Sequence, residues 1–375
     1  MIRLDRWELA GAVADLGVLV PIAVAMMIKN GLSPTAVLLP AGLLYLAAAR
    51  LYRLPIPVQP LKAFGAIAIA NGLGVDEIAS GALLMGVVFV VLGASGLIDF
   101  AARAFPKPLV RGVQVTVGLL FLKIAWNLVS DPPASFHDQL PSRWLVPVAA
   151  LLLLTLALRR RVPVTLVLVG SALLVAGVTG GVDGVGPSEL ALPSFDGATF
   201  WTAFTVLVVP QLPLSFANSC LATADAARTY FGAAAQRVRA GKLAMSFGTA
   251  NLLAGAIGGM PVCHGAGGLT AHYSSGARTA GAPLVLGAAL VAVAIGVGAG
   301  LATFLASFPL PVLAALLAGA GLLHLGLLRD LRRARDVGLA VAIGVLGFET
   351  NLALALACGL VVWWGATFAA RRIDR

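Results

Sequence analysis

The sequence predicts an all-α polytopic membrane protein of about fourteen transmembrane segments, built as a 7+7 inverted repeat. Three observations predict it. The 375-residue chain is 59% hydrophobic and 11% charged, with a mean hydropathy of +0.96, whereas an ordinary soluble domain carries roughly 25% charged residues. Basic residues collect in alternate connections between apolar stretches. Two pairs of segments match at shifts of 203 and 204 residues.

A helix needs about 20 residues to cross a hydrocarbon core of about 30 Å. Stretches of that order place TM1 near 9–28, TM2 near 32–49, TM4 near 78–101, TM5 near 109–129, TM6 near 143–158 and TM7 near 162–180. TM3, near 57–71, is short and opens on Pro57. The second half follows the same order, with TM8 near 199–220, TM9 near 242–257, a short TM10 near 264–276, TM11 near 282–305, TM12 near 310–328, TM13 near 336–349 and TM14 near 351–370. The halves are residues 1–180 and 181–375. The N-terminal "MIRLDRWELAG" lacks the features of a cleaved signal peptide. Cys220, Cys263 and Cys358 are far apart in or beside apolar runs, so neither a disulfide framework nor a metal site is expected.

With the N-terminus inside, one set of connections holds 22 of the 26 Lys and Arg residues, among them Arg50, Arg53, Arg159, Arg160, Arg161, Arg228, Arg237, Arg239 and Arg278. The other set holds Lys29 and Arg143; Lys62 and Lys123 fall within spans. This is the positive-inside pattern and places both termini in the cytoplasm. The net charge of +10 thus records topology, and no nucleic-acid partner is implied.

"FPKPLVRGVQVTVGLLFLKI" from Phe105 and "FPLPVLAALLAGAGLLHLGL" from Phe308 align without a gap at a shift of 203, and "IPVQPLKAFGA" from Ile56 aligns with "MPVCHGAGGLT" from Met260 at a shift of 204. Two segments agreeing on nearly one shift indicate a duplication. An odd number of spans per repeat makes the second half enter from the opposite side. In transporters so built, corresponding short or Gly/Pro-broken segments meet at the midplane and point to the binding site. TM3 and TM10 are that pair.

Residues 258–281, "GGMPVCHGAGGLTAHYSSGARTAG", are the least oily part of the series. Irregular backbone at membrane depth is tolerated only against protein or a polar cavity. Pro57 and Pro261 are expected in extended backbone, each followed by a half-helix whose start carries about half a positive charge and free N–H donors suited to an oxyanion. Gly265, Gly267 and Gly268 would let a ligand approach the backbone. On these grounds the chain is a small-anion transporter.

"DLGVLVPIAVAM" at Asp15, "PIPVQPLKAFGAIA" at Pro55, "QLPLSFANSCLAT" at Gln211 and "GMPVCHGAGGLTAHYSSGARTAG" at Gly259 resemble the molybdate transporter family, which is related to the sulfate permeases, and the resemblance covers nearly the whole chain. It implies the inverted-repeat fold shared with nucleobase transporters, with a core domain of TM1–4 and TM8–11 and a gate domain of TM5–7 and TM12–14. It also implies molybdate as substrate, with sulfate or tungstate as related dianions. Only "RRIDR" follows Ala370, so no soluble C-terminal domain is expected.

The expected site is formed by Gln59, Pro60, Lys62, Gln211, Cys263, His264, Gly265, Ala266 and Gly267. Gln59 could donate to an anion, or cap local backbone. Lys62 needs a partner, since a charge at the membrane centre costs at least about 2.5 kcal/mol; an anion or Asp15 would serve, unless its stem snorkels outward. His264 could donate to the oxyanion or carry a co-transported proton. Asp15 is either Lys62's partner, a proton site or a cap within TM1. Gln211 and Asn218, seven apart, would share a face of TM8. As a nucleophile Cys263 would have only His264 for a base and no evident third orienting group. Glu349 is expected exposed and Arg278 at the cytoplasmic end of TM10; Lys123 has no evident role.

The reading is a secondary active oxyanion transporter without catalytic residues, cofactor or metal. A sulfate transporter or a nucleobase transporter of the same fold is the near alternative, although neither TM8 nor TM10 offers an acidic residue for a base edge. An intramembrane hydrolase using Cys263 and His264, or an anion channel, are the rivals from other classes. The coupling ion and the oligomeric state, a homodimer among the options, are not written in the residues.

Overall fold

The computed structural model describes residues 2–98, 100, 104–131, 168, 170, 171, 174, 184–306 and 308–373. TM6, all of TM7 but residues 168, 170, 171 and 174, Arg143, the arginines at 159–161 and the boundary at 180/181 lie outside these residues.

Helix α1 (Arg6–Asn30) starts at Asp5, whose carboxylate accepts from the amides of Trp7 and Glu8, and stops at Gly31 in the left-handed region, φ 69°. Helix α2 (Pro34–Tyr52) follows a Ser33 cap with proline at its first position. Strand β1 (Gln59–Pro60) then leads into the ten-residue α3 (Lys62–Asn71). Helices α4 (Val75–Ser95) and α5 (Lys107–Ser130) complete the described part of the first half.

The second half opens with α6, a continuous helical run over Gly197–Arg237. It widens to π winding at Ala203–Val208 and Ser215–Ala222, on either side of Pro210 and Pro213, whose missing amides disfavour regular α turns. There follow α7 (Ala240–Ala256), β2 (Val262–Cys263) and the nine-residue α8 (Ala266–Ser274). Helices α9 (Gly281–Gly296), α10 (Gly298–Ala306), α11 (Leu310–Gly326), α12 (Ala334–Glu349) and α13 (Leu352–Ile373) end the chain.

Outside TM6 and TM7, the expected spans agree with these helices except at three places. TM8 continues well past 220 as the polar part of α6, which an apolar-length criterion stops short of. TM11 breaks at Val297 into α9 and α10. TM3 turns helical only at Lys62, so Gln59 sits in a strand rather than in the half-helix. At 1.5 Å rise per residue, α3 and α8 are each too short to cross a bilayer. Seven described helical runs are long and apolar enough to do so.

The inverted repeat is visible in the contacts. Strands β1 and β2 pair antiparallel, with Gln59 opposite Cys263 and Pro60 opposite Val262. Gln59 and Cys263 are related by the 204-residue shift of the sequence repeat, so each stands opposite its own counterpart, which only residues on a two-fold axis do. Gly118 and Gly321, related by the shift of 203, behave likewise: a Cβ on either would meet the other's carbonyl oxygen, at 2.9 and 2.7 Å. The axis runs through the β1–β2 crossing and the α5–α11 contact. Away from it, α4 lies along α7 and α2 along α9, an exchange of counterparts that the same axis generates.

Small residues bring these helices close. Gly86 and Gly255 of α4 and α7 admit Leu252 and Leu83, and Gly42 and Gly287 join α2 to α9. Outward positions such as Val87 and Val91 of α4, 53% and 57% exposed, carry the apolar face that lipid covers.

Candidate functional site

Four residues of extended backbone, 57–60, and their counterparts at 261–264 cross at the centre of the molecule. Pro57 and Pro60 in the first and Pro261 in the second remove donors from the ladder or its approach, so side chains complete the hydrogen bonding. The Leu61 amide donates to the Pro261 carbonyl at 3.1 Å, and Asn251 Oδ1 accepts from the Val262 amide at 2.7 Å. His264 Nδ1 lies 2.8 Å from the Pro57 carbonyl. A carbonyl can only accept, so Nδ1 donates and Nε2 is left to accept from the Ser246 hydroxyl, 2.8 Å away. Tyr52 joins the same network through Ser246 at 2.7 Å and the Lys242 carbonyl at 2.9 Å.

The two half-helix starts differ. Neither α3 nor α8 has a cap from its own N-cap side chain. In α3 the Phe64 amide donates to Gln211 Oε1 at 3.0 Å, and Gln211 Nε2 is held by Ser215 at 3.0 Å. By the 204 shift, Phe64 corresponds to Gly268 of α8. There a Cβ would come within 2.5 to 2.7 Å of Gln59 Nε2, Asp15 Oδ1 and Pro57 Cβ. Each half's first helix therefore sends one polar side chain to the other half's half-helix: Gln211 from α6 and Asp15 from α1. At Gly267, by contrast, nothing lies within 4 Å of where a Cβ would stand. The start of α8 is open on that side.

Asp15 is fully buried and surrounded by donors. The Tyr45 hydroxyl bonds Asp15 Oδ2 and reaches the Val58 carbonyl at 3.0 Å. Gln59 Nε2 donates to Asp15 Oδ1 at 2.6 Å, and Lys62 Nζ donates to Gln59 Oε1 at 2.8 Å. The expected direct pairing of Lys62 with Asp15 is thus replaced by a relay with Gln59 between them. His272, one turn beyond Gly268 on α8, brings Nε2 to 3.5 Å from Asp15 Oδ2.

The structure gathers Gln59, Pro60, Lys62, Cys263, Gly265, Ala266 and Gly267 around this crossing. It directs His264 and Gln211 elsewhere: both ring nitrogens of His264 and both amide atoms of Gln211 hold protein groups. The Cys263 thiol is buried against the Pro60 carbonyl, Sγ to oxygen 3.7 Å, and His264 is not free to serve it as a base. Asn218 lies beside Gly265, its Nδ2 3.5 Å from where a Cβ there would stand, within the π-wound part of α6 that follows Gln211.

Among the outlying residues, Glu349 is exposed at the end of α12. Arg278 donates to the Tyr273 and Ala277 carbonyls and closes the end of α8. The Lys123 ammonium lies over the Phe348 ring, 5.6 Å from its centroid. The sequence reading missed Tyr45, His272 and Glu8. Glu8, 1% exposed, accepts from the amides of Arg278, Thr279 and Ala282 and so anchors the α8–α9 connection to α1.

A family model described as "Molybdate transporter of MFS superfamily" matches residues 7–121 and 203–323. The first block contains Asp15, Gln59 and Lys62, the second Gln211, the 261–268 stretch and His272. Molybdate transporter 2 of Arabidopsis thaliana is 28% identical over 402 residues, spanning 95% of this chain and 86% of that protein. Among solved structures, the transmembrane domain of the cyanobacterial bicarbonate transporter BicA superposes with a TM-score of 0.68 at 19% identity, covering 94% of this chain and 97% of that one. The murine Slc26a9 anion transporter in its inward-facing state gives a TM-score of 0.70 at 14% identity, covering 97% and 68%.

Proposed function

The chain belongs to the molybdate transporter family, and from that premise and the geometry of its crossing we propose that it is a secondary active transporter of molybdate or a similar tetrahedral oxyanion, bound between the N-terminal ends of α3 and α8. It is a transporter and not an enzyme. The observation that carries the site is the asymmetry of the two helix starts. Gln211 stoppers α3 at Phe64, whereas α8 begins on glycine, has no side-chain cap and is open at Gly267.

In this reading the amides of Gly265, Ala266 and Gly267 receive the anion's oxygens, and the helix start contributes about half a positive charge. The Lys62 ammonium supplies the remaining compensation from the facing half, held in place by Gln59. Pro60 and Cys263 wall the cavity. Gln211 and His264 act as positioning residues, one ordering the start of α3 and the other fixing the strand that leads into α8. The site sits on the bundle of α1–α4 with α6–α10. Movement of that bundle against α5 and α11–α13 would expose it to either side in turn, with both chain ends on the cytoplasmic face.

The test is uptake of molybdate into proteoliposomes of the purified protein. Saturable uptake competed by tungstate or sulfate and indifferent to uracil is the expected result. Competition by uracil alone would move the substrate to a nucleobase. Non-saturating flux faster than about a thousand ions per second would indicate a channel, since domain motions run on microseconds to milliseconds.

A further inference from the structure

His272 has no part in the site as proposed, yet it is the most unusual polar side chain in the structure. It is fully buried, and neither ring nitrogen makes a hydrogen bond. An imidazole in such a place is costly unless something satisfies it. The one group aimed at it is a carboxylate: Nε2 stands 3.5 Å from Asp15 Oδ2, with both residues inaccessible to solvent.

We propose that the Asp15–His272 pair is the proton-coupling site of the transporter, taking up one proton as a dianion binds beside Lys62 and releasing it when the anion leaves. The inference rests on the oxyanion reading above and names its coupling ion. The proton adds to the free His272 nitrogen, turning carboxylate and neutral imidazole into carboxylate and imidazolium. No other bond changes, and the proton returns to water on the side where the anion departs.

The link to the anion is Gln59, which donates to Asp15 Oδ1 and accepts from Lys62 Nζ. While the cavity holds no anion, Lys62 offsets the charge of Asp15 through Gln59. A bound dianion draws that ammonium to itself and leaves Asp15 facing a second negative charge. Protonation of His272 then restores the balance.

The groups around the pair agree with this assignment. From α2 comes Tyr45, a donor to Asp15. From β1 and α3 come Gln59 and Lys62. From β2 come Cys263 and His264, the latter engaged by Pro57 and Ser246. On α1 itself Glu8 is occupied by three amides. From α6, Tyr230 stacks on Tyr273 of α8, with Asp225 and Arg228 paired to each other near it on the same helix. Helix α9 has no titratable residue, and α11 contributes His324, bonded to its own helix at the Ala320 carbonyl. His272 is the residue in this set that is buried beside Asp15 with nothing on its nitrogens.

The test is calorimetric titration of the full chain with molybdate at one pH in two buffers of different ionisation enthalpy, which counts protons taken up per anion. The wild type should take up about one proton, and His272→Gln should take up none and bind molybdate about tenfold or more weakly, as the linkage of proton to anion requires. Wild-type protein whose four histidines carry 15N should show one ring passing from imidazole to imidazolium on binding, a change absent from His272→Gln. Molybdate binding without proton uptake by the wild type, or unchanged uptake by His272→Gln, overturns this inference and leaves the transport reading intact. Failure of the wild type to bind molybdate, sulfate or tungstate overturns both.

Discussion

At the scale of residues, Gly267 and Gly268 adjoin in sequence and stand in opposite situations. A side chain at 267 would enter open space at the start of α8, while one at 268 would meet Asp15, Gln59 and Pro57. Gly267→Leu should therefore leave the fold intact and abolish molybdate binding by covering the amides. Gly268→Ala should lower stability by about 1–3 kcal/mol through overpacking, read as a drop in thermal midpoint in detergent. That glycines would cradle a ligand was legible in "HGAGG", because only backbone without side chains lets an anion approach it. Which side of the α8 start stays open was not legible, since Asp15 and Gln59, more than two hundred positions away in sequence, are what crowd Gly268. His264 was expected at the anion as a side-chain donor. Its ring instead supplies the donor that the Pro57 carbonyl would otherwise lack.

At the scale of elements, hydropathy found the spans but not their polar extensions or irregular turns. The α6 segment beyond 220, with Asp225 and Arg228, is helical without being oily. Its π turns follow from prolines whose consequence depends on what packs nearby. The strand crossing is the least sequence-legible element, because two-residue strands have no periodicity to detect. Its stability depends on Asn251. Asn251→Ala would orphan the buried Val262 amide at a cost of about 1–3 kcal/mol and should destabilise β2 more than any exposed substitution on α7, as protection of the Val262 amide from hydrogen exchange would report. Gly321→Leu would wedge α5 from α11 at the Gly118 contact and cost about 1–3 kcal/mol. Gly319→Leu, two residues away with nothing near its notional Cβ, should change thermal stability by less than about 0.5 kcal/mol.

At the scale of the whole molecule, the duplication was readable because prolines and glycines recur where the halves meet: Pro57 with Pro261, and the "GLL" at Gly118 with that at Gly321, serve the same geometry twice. The exchange of partners, α2 with α9 and α4 with α7, was not readable, because sequence similarity between halves does not say which helix of one half packs on which of the other. The division into a moving bundle and a fixed one came from family resemblance alone. What the two-fold axis adds is a place where both helix starts converge, with Lys62 brought from one half and open amides from the other. The central claim is that an oxyanion sits at that convergence. Anomalous scattering at the molybdenum edge from crystals grown with molybdate locates the molybdenum atom directly. The account predicts a peak at the β1–β2 crossing, about 4–5 Å from both the Gly267 amide nitrogen and Lys62 Nζ, the distance set by one intervening oxygen and a hydrogen bond. A peak only in the pocket between Arg228 and Arg239, with none at the crossing, would contradict it.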